Sequence, residues 1–504
     1  MNNKKLLFIN RPIFRIPAVL VISAVIVLSA SNLFSGKGPA EGAPAEQFNE
    51  HLRKRIPELM EYYNIPGVSF ALVDDARIVW TETFGYADME KGEKMTEDSM
   101  CRVESISKAV TAWGVMKLAE EGRIDLDAPV EGYFTSWEFP ETRFSTDTIT
   151  ARRLLSANAG LPLGTIGIRF SPEDRNIPSL TQRLTDYAVP FQEPGSSFYY
   201  SNVGYWILEL LLEEVTGTDF ARYMDTSILD PLGMKDASFS WSEEFDARIP
   251  KGYDSRGNPV PPYIYPDQAA GGLFATVRGI ASFVIAGMTG FPKGRDGKRV
   301  LPARSIDTIY SPAVDTTGYY GIVFDSYGFG HFIETLPSGN QAVAVGGQGT
   351  GWMCHFHSVP ESGDGIVILT NSGNSWPFFA HILRDWTGWL GFGRPGMGVI
   401  NTGQMLIWIF IGLVLAAVIR QSWKVIQDWA GGSRRLAPFA REARGLRIAA
   451  AAGFAVLGAG LLWVFTRDYF FLNSTFPIAS GWLWGVLSAA EGVLLLSALL
   501  PRRR

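Results

Sequence analysis

A serine and a lysine three positions apart are the first residues in this chain that suggest chemistry. Ser105 and Lys108 form its one S-x-x-K pattern, after the strand-like run Cys101 to Val103. The pattern opens a predicted helix, on which residues three apart share a face. A serine hydroxyl becomes nucleophilic when a base takes its proton, and a desolvated lysine with a lowered pKa is such a base. We predict Ser105 as nucleophile and Lys108 as base; the alternative is a solvated turn.

A second pattern, Tyr200-Ser201-Asn202, precedes another predicted helix. A tyrosine near a lysine cation ionises more readily and can shuttle a proton to a leaving group. We therefore predict a catalytic role for Tyr200 and a substrate-binding role for the Asn202 amide. The alternative is a helix cap beside a packed aromatic ring.

A third pattern is the glycine-rich segment from Val345 to Trp352. Glycines ahead of a strand allow backbone and substrate to approach closely. We predict that Gly347 and Gln348 bind substrate, with the Gln348 N–H pairing with that of Ser105 as an oxyanion hole. The alternative is the entrance of a hairpin.

Histidines and cysteines give no strong metal pattern. His355 and His357 share one face of a predicted strand, but the sequence shows no third ligand. We therefore predict neither a metal nor a cofactor. Cys101 and Cys354 are the two cysteines, and a disulfide or two buried thiols are both open.

The elements that must position these residues are strand-like at both ends of a central domain and helical in its middle. This order predicts an α+β (mixed α/β) fold, with an antiparallel sheet flanked by helices and a helical subdomain. The predicted strands are Val68–Val73, Ile78–Gly85, Trp352–Ser358 and Gly365–Thr370, and the clearest helices are Ser105–Glu121 and Tyr205–Thr216.

Apolar segments at both ends of the chain predict membrane attachment. Residues 1–35 are basic and then apolar, as in a signal peptide or signal anchor. Residues 36–48 are predicted as a linker, 49–398 as the catalytic domain and 399–504 as three membrane-spanning helices. These spans run from about Val399 to Ile419, Ile448 to Phe465 and Ile478 to Leu500.

The distribution of charge predicts the orientation in the membrane. Residues 399–504 contain eleven Lys and Arg against four Asp and Glu, and seven of the basic residues lie between Arg420 and Arg447. Basic loops stay inside, so we predict a multi-pass protein of the cell (inner) membrane with its catalytic domain outside, periplasmic or extracellular. The rest of the chain contains more acidic than basic residues, and this net negative charge argues against nucleic acid as a partner.

Together the motifs resemble the serine beta-lactamase-like and penicillin-binding-protein family, which includes class C beta-lactamases, D-alanyl-D-alanine carboxypeptidases and esterases. The resemblance covers roughly residues 50–375 and implies an acylated Ser105, with Lys108 and Tyr200 as its base pair and Asn202 in the second motif. The matching stretches, in family order, are RVESISKAV, SANAGLP, YYSNVGYWILELLLEEVTG, ILDPLGM, GGLFAT and GIVILTN.

The chain departs from this family at two positions. The third motif normally begins with Lys or His, where this chain has Val345, and Asn158 stands where His is frequent. A missing cation at Val345 puts recognition of a free substrate carboxylate in doubt, whereas acylation needs only serine, base and oxyanion hole.

The sequence therefore predicts a membrane-bound serine hydrolase that cleaves an ester or amide through an acyl-enzyme. Two alternatives stay open: a peptidase that removes an acyl-amino-acid cap from a secreted natural product, and a beta-lactam receptor that acylates without turnover. The predicted partners are membrane lipids and a small-molecule or peptide substrate, with or without a lipid tail. The oligomeric state is left open.

Overall fold

The computed structural model describes residues 38–165, 168–288, 299–437, 444–467 and 471–501. The chain divides into two units, Gly38–Val399 and the residues from Ile400 onward. The predicted signal segment, residues 1–35, lies outside the described residues.

The first unit is built on an antiparallel sheet to which both of its ends contribute. Among the described residues, nine strands form this sheet in the order β3-β2-β1-β14-β13-β12-β11-β10-β9, and β1 pairs antiparallel with β14. Two small sheets, β4-β8-β5 and β6-β7, lie outside it. The strands are β1 Gly67–Asp74, β2 Arg77–Asp88, β3 Glu93–Lys94, β4 Cys101–Arg102, β5 Ala237–Ser238, β6 Gly252–Tyr253, β7 Pro259–Val260, β8 Phe274–Ala275, β9 Val314–Asp315, β10 Ser326–Tyr327, β11 Phe332–Thr335, β12 Gln341–Gln348, β13 Met353–Val359 and β14 Asp364–Thr370. This arrangement confirms the predicted α+β class.

Helices cover both faces of the sheet and fill the stretch between β4 and β9. The helices of the first unit are α1 Ala45–Tyr63, α2 Ile106–Glu120, α3 Ala151–Leu155, α4 Leu180–Tyr187, α5 Val203–Thr216, α6 Phe220–Met224, α7 Glu243–Asp246, α8 Val277–Ala286, α9 Ala303–Tyr310 and α10 Trp376–Trp389. Those that follow along the chain are α11 Gly398–Ala430, α12 Arg444–Phe465, α13 Phe471–Thr475 and α14 Pro477–Leu499. The central strands β13 and β14 are buried along their whole length, because helices lie on each side of them. Such strands are continuously apolar rather than alternating, which explains the run GIVILT.

Helix α2 lies inside the first unit, between the sheet and the other helices. Most of its residues are buried on every side, including Trp113. A helix that is apolar all round belongs in a core, and it holds its N-terminal residues rigidly. Gly122 follows the helix in a left-handed conformation, with φ of +68°, as expected from its position after the last turn.

The predicted linker, residues 36–48, is wrong for its second half. Helix α1 begins at Ala45, and the fully buried Phe48 stacks on Trp389 at 4.3 Å between ring centroids. The N–H of Gly42 also donates to the carbonyl of Trp389. The Gly/Pro/Ala composition of the segment did not indicate this packing, because the contact with α10 depends on a single aromatic residue, Phe48.

The second unit has a helix at each of the three predicted spans. Helices α11, α12 and α14 are long and apolar enough to cross a membrane. Helix α11 continues to Ala430, beyond the predicted end at Ile419. The added turns mix polar and apolar residues and contain neither Gly nor Pro until Gly431, so nothing in the sequence stops the helix earlier.

Candidate active site

Ser105 lies at the N-terminus of α2, at the end of a tight turn. Residue Glu104 before it has a φ of +50°, and the N–H of Ser107 donates to the carbonyl of Glu104 at 2.8 Å. Helix N-termini present backbone N–H groups to negative charge. The turn therefore places the Ser105 hydroxyl where an anion formed on the substrate is stabilised.

Lys108 lies one turn later, with its amine beside that hydroxyl. Its Nζ is 3.3 Å from Oγ of Ser105 and donates to the carbonyl of Ala270 at 2.8 Å. Burial lowers the pKa of Lys108 to about 7, and the nearby carboxylates of Glu104 and Asp267 oppose that shift. An amine with this pKa is available as a base near neutral pH, as the S-x-x-K pattern predicts.

The segment from Asp267 to Leu273 holds the lysine in place. Thr111 donates to the carbonyl of Ala269 at 3.0 Å, and Ser107 accepts from the N–H of Leu273 at 3.0 Å. Glu209, which is buried on α5, accepts from the N–H of Ala269 at 2.7 Å. The sequence analysis gave this segment no role, because these contacts join residues far apart in the chain.

Tyr200 is brought to the same point from the segment before α5. Its hydroxyl lies near enough to that of Ser105 for the serine to lower the pKa of the phenol slightly, and Nζ of Lys108 lies 4.9 Å from the centre of its ring. Burial raises the pKa of Tyr200, which is opposite to the predicted easier ionisation beside a lysine cation. The reason is that burial desolvates the phenol, so the tyrosine enters the site as a neutral hydroxyl.

An aromatic wall extends from Tyr200. Its ring stacks on Tyr320 and Phe332, at 5.3 and 6.1 Å between centroids. Tyr319 packs on Tyr320 at 4.2 Å and is nearly half exposed. Asn202 has a different setting: it precedes α5, is half-buried, and its N–H donates to the carbonyl of Leu163 at 3.0 Å. Its role toward substrate stays a prediction.

The glycine-rich segment from Val345 to Trp352 covers the end of β12 and the turn that leads into β13, so its glycines precede a strand and Gly346 and Gly347 also lie within one. A Cβ at Gly347 would collide with the carbonyl of Val103, two residues before the serine, so the strand passes very close to the nucleophile. The side chain of Gln348 faces away and accepts from the indole N–H of Trp376 at 2.7 Å. Val345 is buried in the apolar core.

The N–H of Gln348 points away from β13. Gly349 donates to the carbonyl of Trp352 at 2.9 Å, and bonded positions alternate along an antiparallel pair. Gly347 therefore bonds with β13 and Gln348 does not. Strand β12 pairs with β11 from Gln341 to Ala344 and then extends past the end of β11. Gln348 lies in this extended part, so its N–H points to the β11 side of β12. This geometry is compatible with the predicted oxyanion role.

Glu104 is a residue that the sequence analysis missed. Its buried carboxylate accepts from Tyr263 at 3.1 Å, Tyr265 at 3.0 Å and the Arg102 guanidinium at 3.3 Å. Arg102 is itself buried and donates to the carbonyl of Tyr263 at 2.6 Å. Arg102 is thus committed to this cluster and does not take the place of the cation missing at Val345. The feature that marks Glu104 is its positive φ, which is unusual for a residue other than glycine. Backbone angles cannot be read from a sequence, so the sequence analysis did not identify this residue.

The remaining polar residues of the sheet are structural. Cys101 and Cys354 are both free and buried thiols. His355 and His357 are buried side by side, with ring centroids 5.8 Å apart. Within the part of the chain that the structure describes, three or more potential ligands do not come together in a metal-binding group.

Known proteins similar to this chain share its catalytic unit. The sequence profile of the beta-lactamase family matches residues 52–385. Protein flp from Staphylococcus aureus is 29% identical over 201 residues, 39% of each chain, so the chain spans about two fifths of this relative's length. Putative beta-lactamase-like 1 from Homo sapiens is 26% identical over 339 residues, which are 65% of this chain and 66% of the human protein.

Solved structures show the same fold. The octameric penicillin-binding protein homologue from Pyrococcus abyssi superposes with a TM-score of 0.57 at 24% identity, over 68% of this chain and 77% of that chain. A class C beta-lactamase superposes with a TM-score of 0.56 at 20% identity, over 66% of this chain and 94% of the other. With the profile match spanning most of the chain, this protein belongs to the beta-lactamase family, whose members are serine hydrolases.

Proposed function

We propose that the chain is a membrane-bound serine hydrolase that cleaves a neutral ester or amide through an acyl-enzyme on Ser105. The observation that carries the proposal is the amine of Lys108, 3.3 Å from Oγ of Ser105 and with a pKa of about 7. A buried amine with that pKa is half neutral near physiological pH, which a general base requires.

The proposed reaction uses groups that surround one hydroxyl. Neutral Lys108 takes the Ser105 proton while Oγ bonds to the substrate carbonyl carbon. The resulting oxyanion accepts hydrogen bonds from the N–H groups of Ser105 and Gln348. When the intermediate collapses, the bond to the leaving group breaks, and that group takes the proton from Lys108 through the Tyr200 hydroxyl. Water then attacks the acyl carbon and passes its proton along the same path to Lys108. When this second intermediate collapses, the bond between the acyl carbon and Oγ breaks and Oγ takes that proton back, which frees the acid and restores Ser105.

Two features support an uncharged substrate. Val345 stands where the family usually has a cation and is buried in apolar surroundings. Arg102 is bound to Glu104 and to the carbonyl of Tyr263. A substrate carboxylate would therefore lose hydration on entering the site without gaining a charged partner from either residue.

Labelling of the full-length protein in membranes tests the nucleophile. A fluorophosphonate, which carries no carboxylate, should label wild type more readily than a fluorescent penicillin, which carries one, and Ser105→Ala should remove all label while the melting temperature stays unchanged. Ser338→Ala, on the exposed turn between β11 and β12, is the matched control and should label normally. A Ser105→Ala protein that still labels would show that another serine is the nucleophile.

Turnover separates a hydrolase from a receptor. A hydrolase releases many equivalents of product from a neutral aryl ester, whereas a receptor stops after one equivalent per protein. We expect steady-state release that depends on Ser105. A single stoichiometric burst followed by no turnover on any ester or amide would favour the receptor.

A further inference from the structure

Glu104 stands directly before the nucleophile in a conformation that is unusual for its residue type. Its φ of +50° lies in the left-handed region that favours glycine. Such a conformation persists only where the surroundings hold it. The side chain is almost completely buried, so the contacts of its carboxylate must supply the stabilisation.

Those contacts form a closed cage. The hydroxyls of Tyr263 and Tyr265 and the guanidinium of Arg102 all donate to this carboxylate, and Arg102 also lies over the ring of Tyr263, 4.1 Å from its centre. A carboxylate that loses hydration is tolerated when it is paired and hydrogen-bonded in this way. The cage is therefore built for a charged Glu104.

The cage also touches the strand that carries the predicted oxyanion donor. A Cβ at Gly349 would collide with the Glu104 carboxylate, and one at Gly347 would lie 3.0 Å from its Cβ. The side chain thus fills the space beside the hairpin that follows β12. One residue consequently contacts both the turn that presents Ser105 and the segment next to Gln348.

The charge of Glu104 also acts on Lys108. Burial of Lys108 favours the neutral amine, while Glu104 and Asp267 favour the protonated one. Asp267 is held by Arg183, and the rings of Tyr200 and Tyr205 lie 4.9 and 5.5 Å from the amine. Of the two carboxylates acting on Lys108, Glu104 has the larger influence on its protonation.

We propose that Glu104 is a positioning residue of the active site: its caged carboxylate holds the Ser105 turn against β12 and supplies the negative field in which Lys108 works. The inference rests on the proposed function, since it needs Lys108 to act as base. It adds a residue outside the three sequence motifs, and it assigns that residue both a steric and an electrostatic effect.

The pH dependence of kcat/KM on a neutral ester tests the electrostatic effect. This profile reports the pKa of the essential base in the free enzyme, so activity falls as the pH drops through the Lys108 pKa. Glu104→Gln keeps the volume but removes the negative charge, which lowers the pKa of Lys108. We expect the acid limb to move down by about one pH unit, the lower end of shifts caused by a neighbouring charge.

Two variants separate charge from packing. Glu104→Asp retains the charge, so its limb should stay near the wild-type position even if kcat/KM falls. Glu120→Gln, a partly exposed glutamate on the same helix that pairs with Arg304, is the matched control and should leave the profile unchanged. If Glu104→Gln does not fold, Arg102→Gln is measured instead. This variant removes the positive charge that faces Glu104, which raises the pKa of Lys108, so the acid limb of the profile should move to higher pH.

The result that overturns the proposal is a Glu104→Gln limb that coincides with wild type, or an Arg102→Gln limb that does not rise. A structural role alone would lower kcat/KM equally at every pH and leave the limb in place. Failure of the proposed function looks different, since Ser105→Ala would then retain turnover or Lys108→Ala would retain the wild-type limb.

Discussion

In the proposed mechanism, the protonation state of Lys108 controls the activity of the site. Its amine contacts Ser105, and its low pKa results from burial inside the first unit. Burial also raises the pKa of Tyr200, so at neutral pH the tyrosine is neutral and the lysine is partly neutral. A neutral phenol and a partly neutral amine beside one hydroxyl can pass a proton between them.

Removing either proton carrier should slow acylation. We expect Lys108→Ala and Tyr200→Phe each to lower the acylation rate on the order of 10²-fold or more, the scale of a positioned general base. Because both serve one proton path, the double variant should be little slower than the worse single variant. Stopped-flow acylation with an aryl ester measures this. A kinetically silent Tyr200→Phe would show that the proton takes another route.

We predict that Val345, which stands where the family usually has a cation, disfavours a charged substrate. We expect a neutral ester to exceed its matched free-carboxylate analogue in kcat/KM by roughly ten- to a hundredfold, because one charge-assisted hydrogen bond contributes about 1.5–3 kcal/mol. Val345→Lys should shift this ratio toward the carboxylate, at some loss of stability since the position is buried. A clear wild-type preference for the carboxylate would contradict the prediction.

The residues of the site were predictable where the chain keeps them close together. Ser105 and Lys108 share a helix turn, so their contact follows from spacing alone. The cage around Glu104 joins it to Tyr263 and Tyr265, and the anchor of Lys108 is the carbonyl of Ala270. These contacts span long stretches of chain, and no local pattern indicates them.

The elements were predictable where they are long and apolar. Strands β1, β2, β13 and β14 and helix α2 appear as apolar runs with clear ends. Strand β12 was harder, because its glycines have low strand propensity and suggested a loop before a strand. The structure explains these glycines: Gly346 lies against Trp376, and Gly347 lies against the carbonyl of Val103.

Strand β12 should therefore tolerate no side chain at Gly347. In Gly347→Ala the new Cβ meets backbone that cannot rotate away, so we expect a loss of about 1–3 kcal/mol in the free energy of unfolding, typical of overpacking. The accompanying displacement from Ser105 should lower kcat/KM on the order of 10²-fold. Chemical denaturation and ester kinetics measure the two effects.

Gly388→Ala is the matched control for this substitution. Gly388 lies near the end of α10, and a Cβ there meets no atom within 4 Å among the described residues. It should leave activity unchanged and stabilise by roughly 0.5–1 kcal/mol through helix propensity. Equal damage from both substitutions would indicate that close approach at β12 is not the cause.

For the whole molecule, the open question is the side of the membrane on which the catalytic unit works. Helices α11, α12 and α14 are each long and apolar enough to span. Between α11 and α12 the chain is rich in Arg, it ends in Arg502-Arg503-Arg504, and the connection between α12 and α14 contains Arg467 as its one basic residue. Basic segments remain on the cytoplasmic side, which favours an external catalytic unit.

Reporter fusions at two positions decide the orientation. A fusion after residue 380 should read as external, because it precedes α11, and a fusion after residue 430 should read as cytoplasmic, because it follows the first C-terminal span. Periplasmic and cytoplasmic reporters fused at the same positions are the matched pair, and each should be active only on its own side. With the reporter inserted after residue 430 of the otherwise complete chain, replacing the basic residues between 434 and 447 by Gln should weaken this preference, since the basic residues set it. If the reporter after 380 is cytoplasmic, the catalytic unit works inside the cell, and its substrate must be sought there.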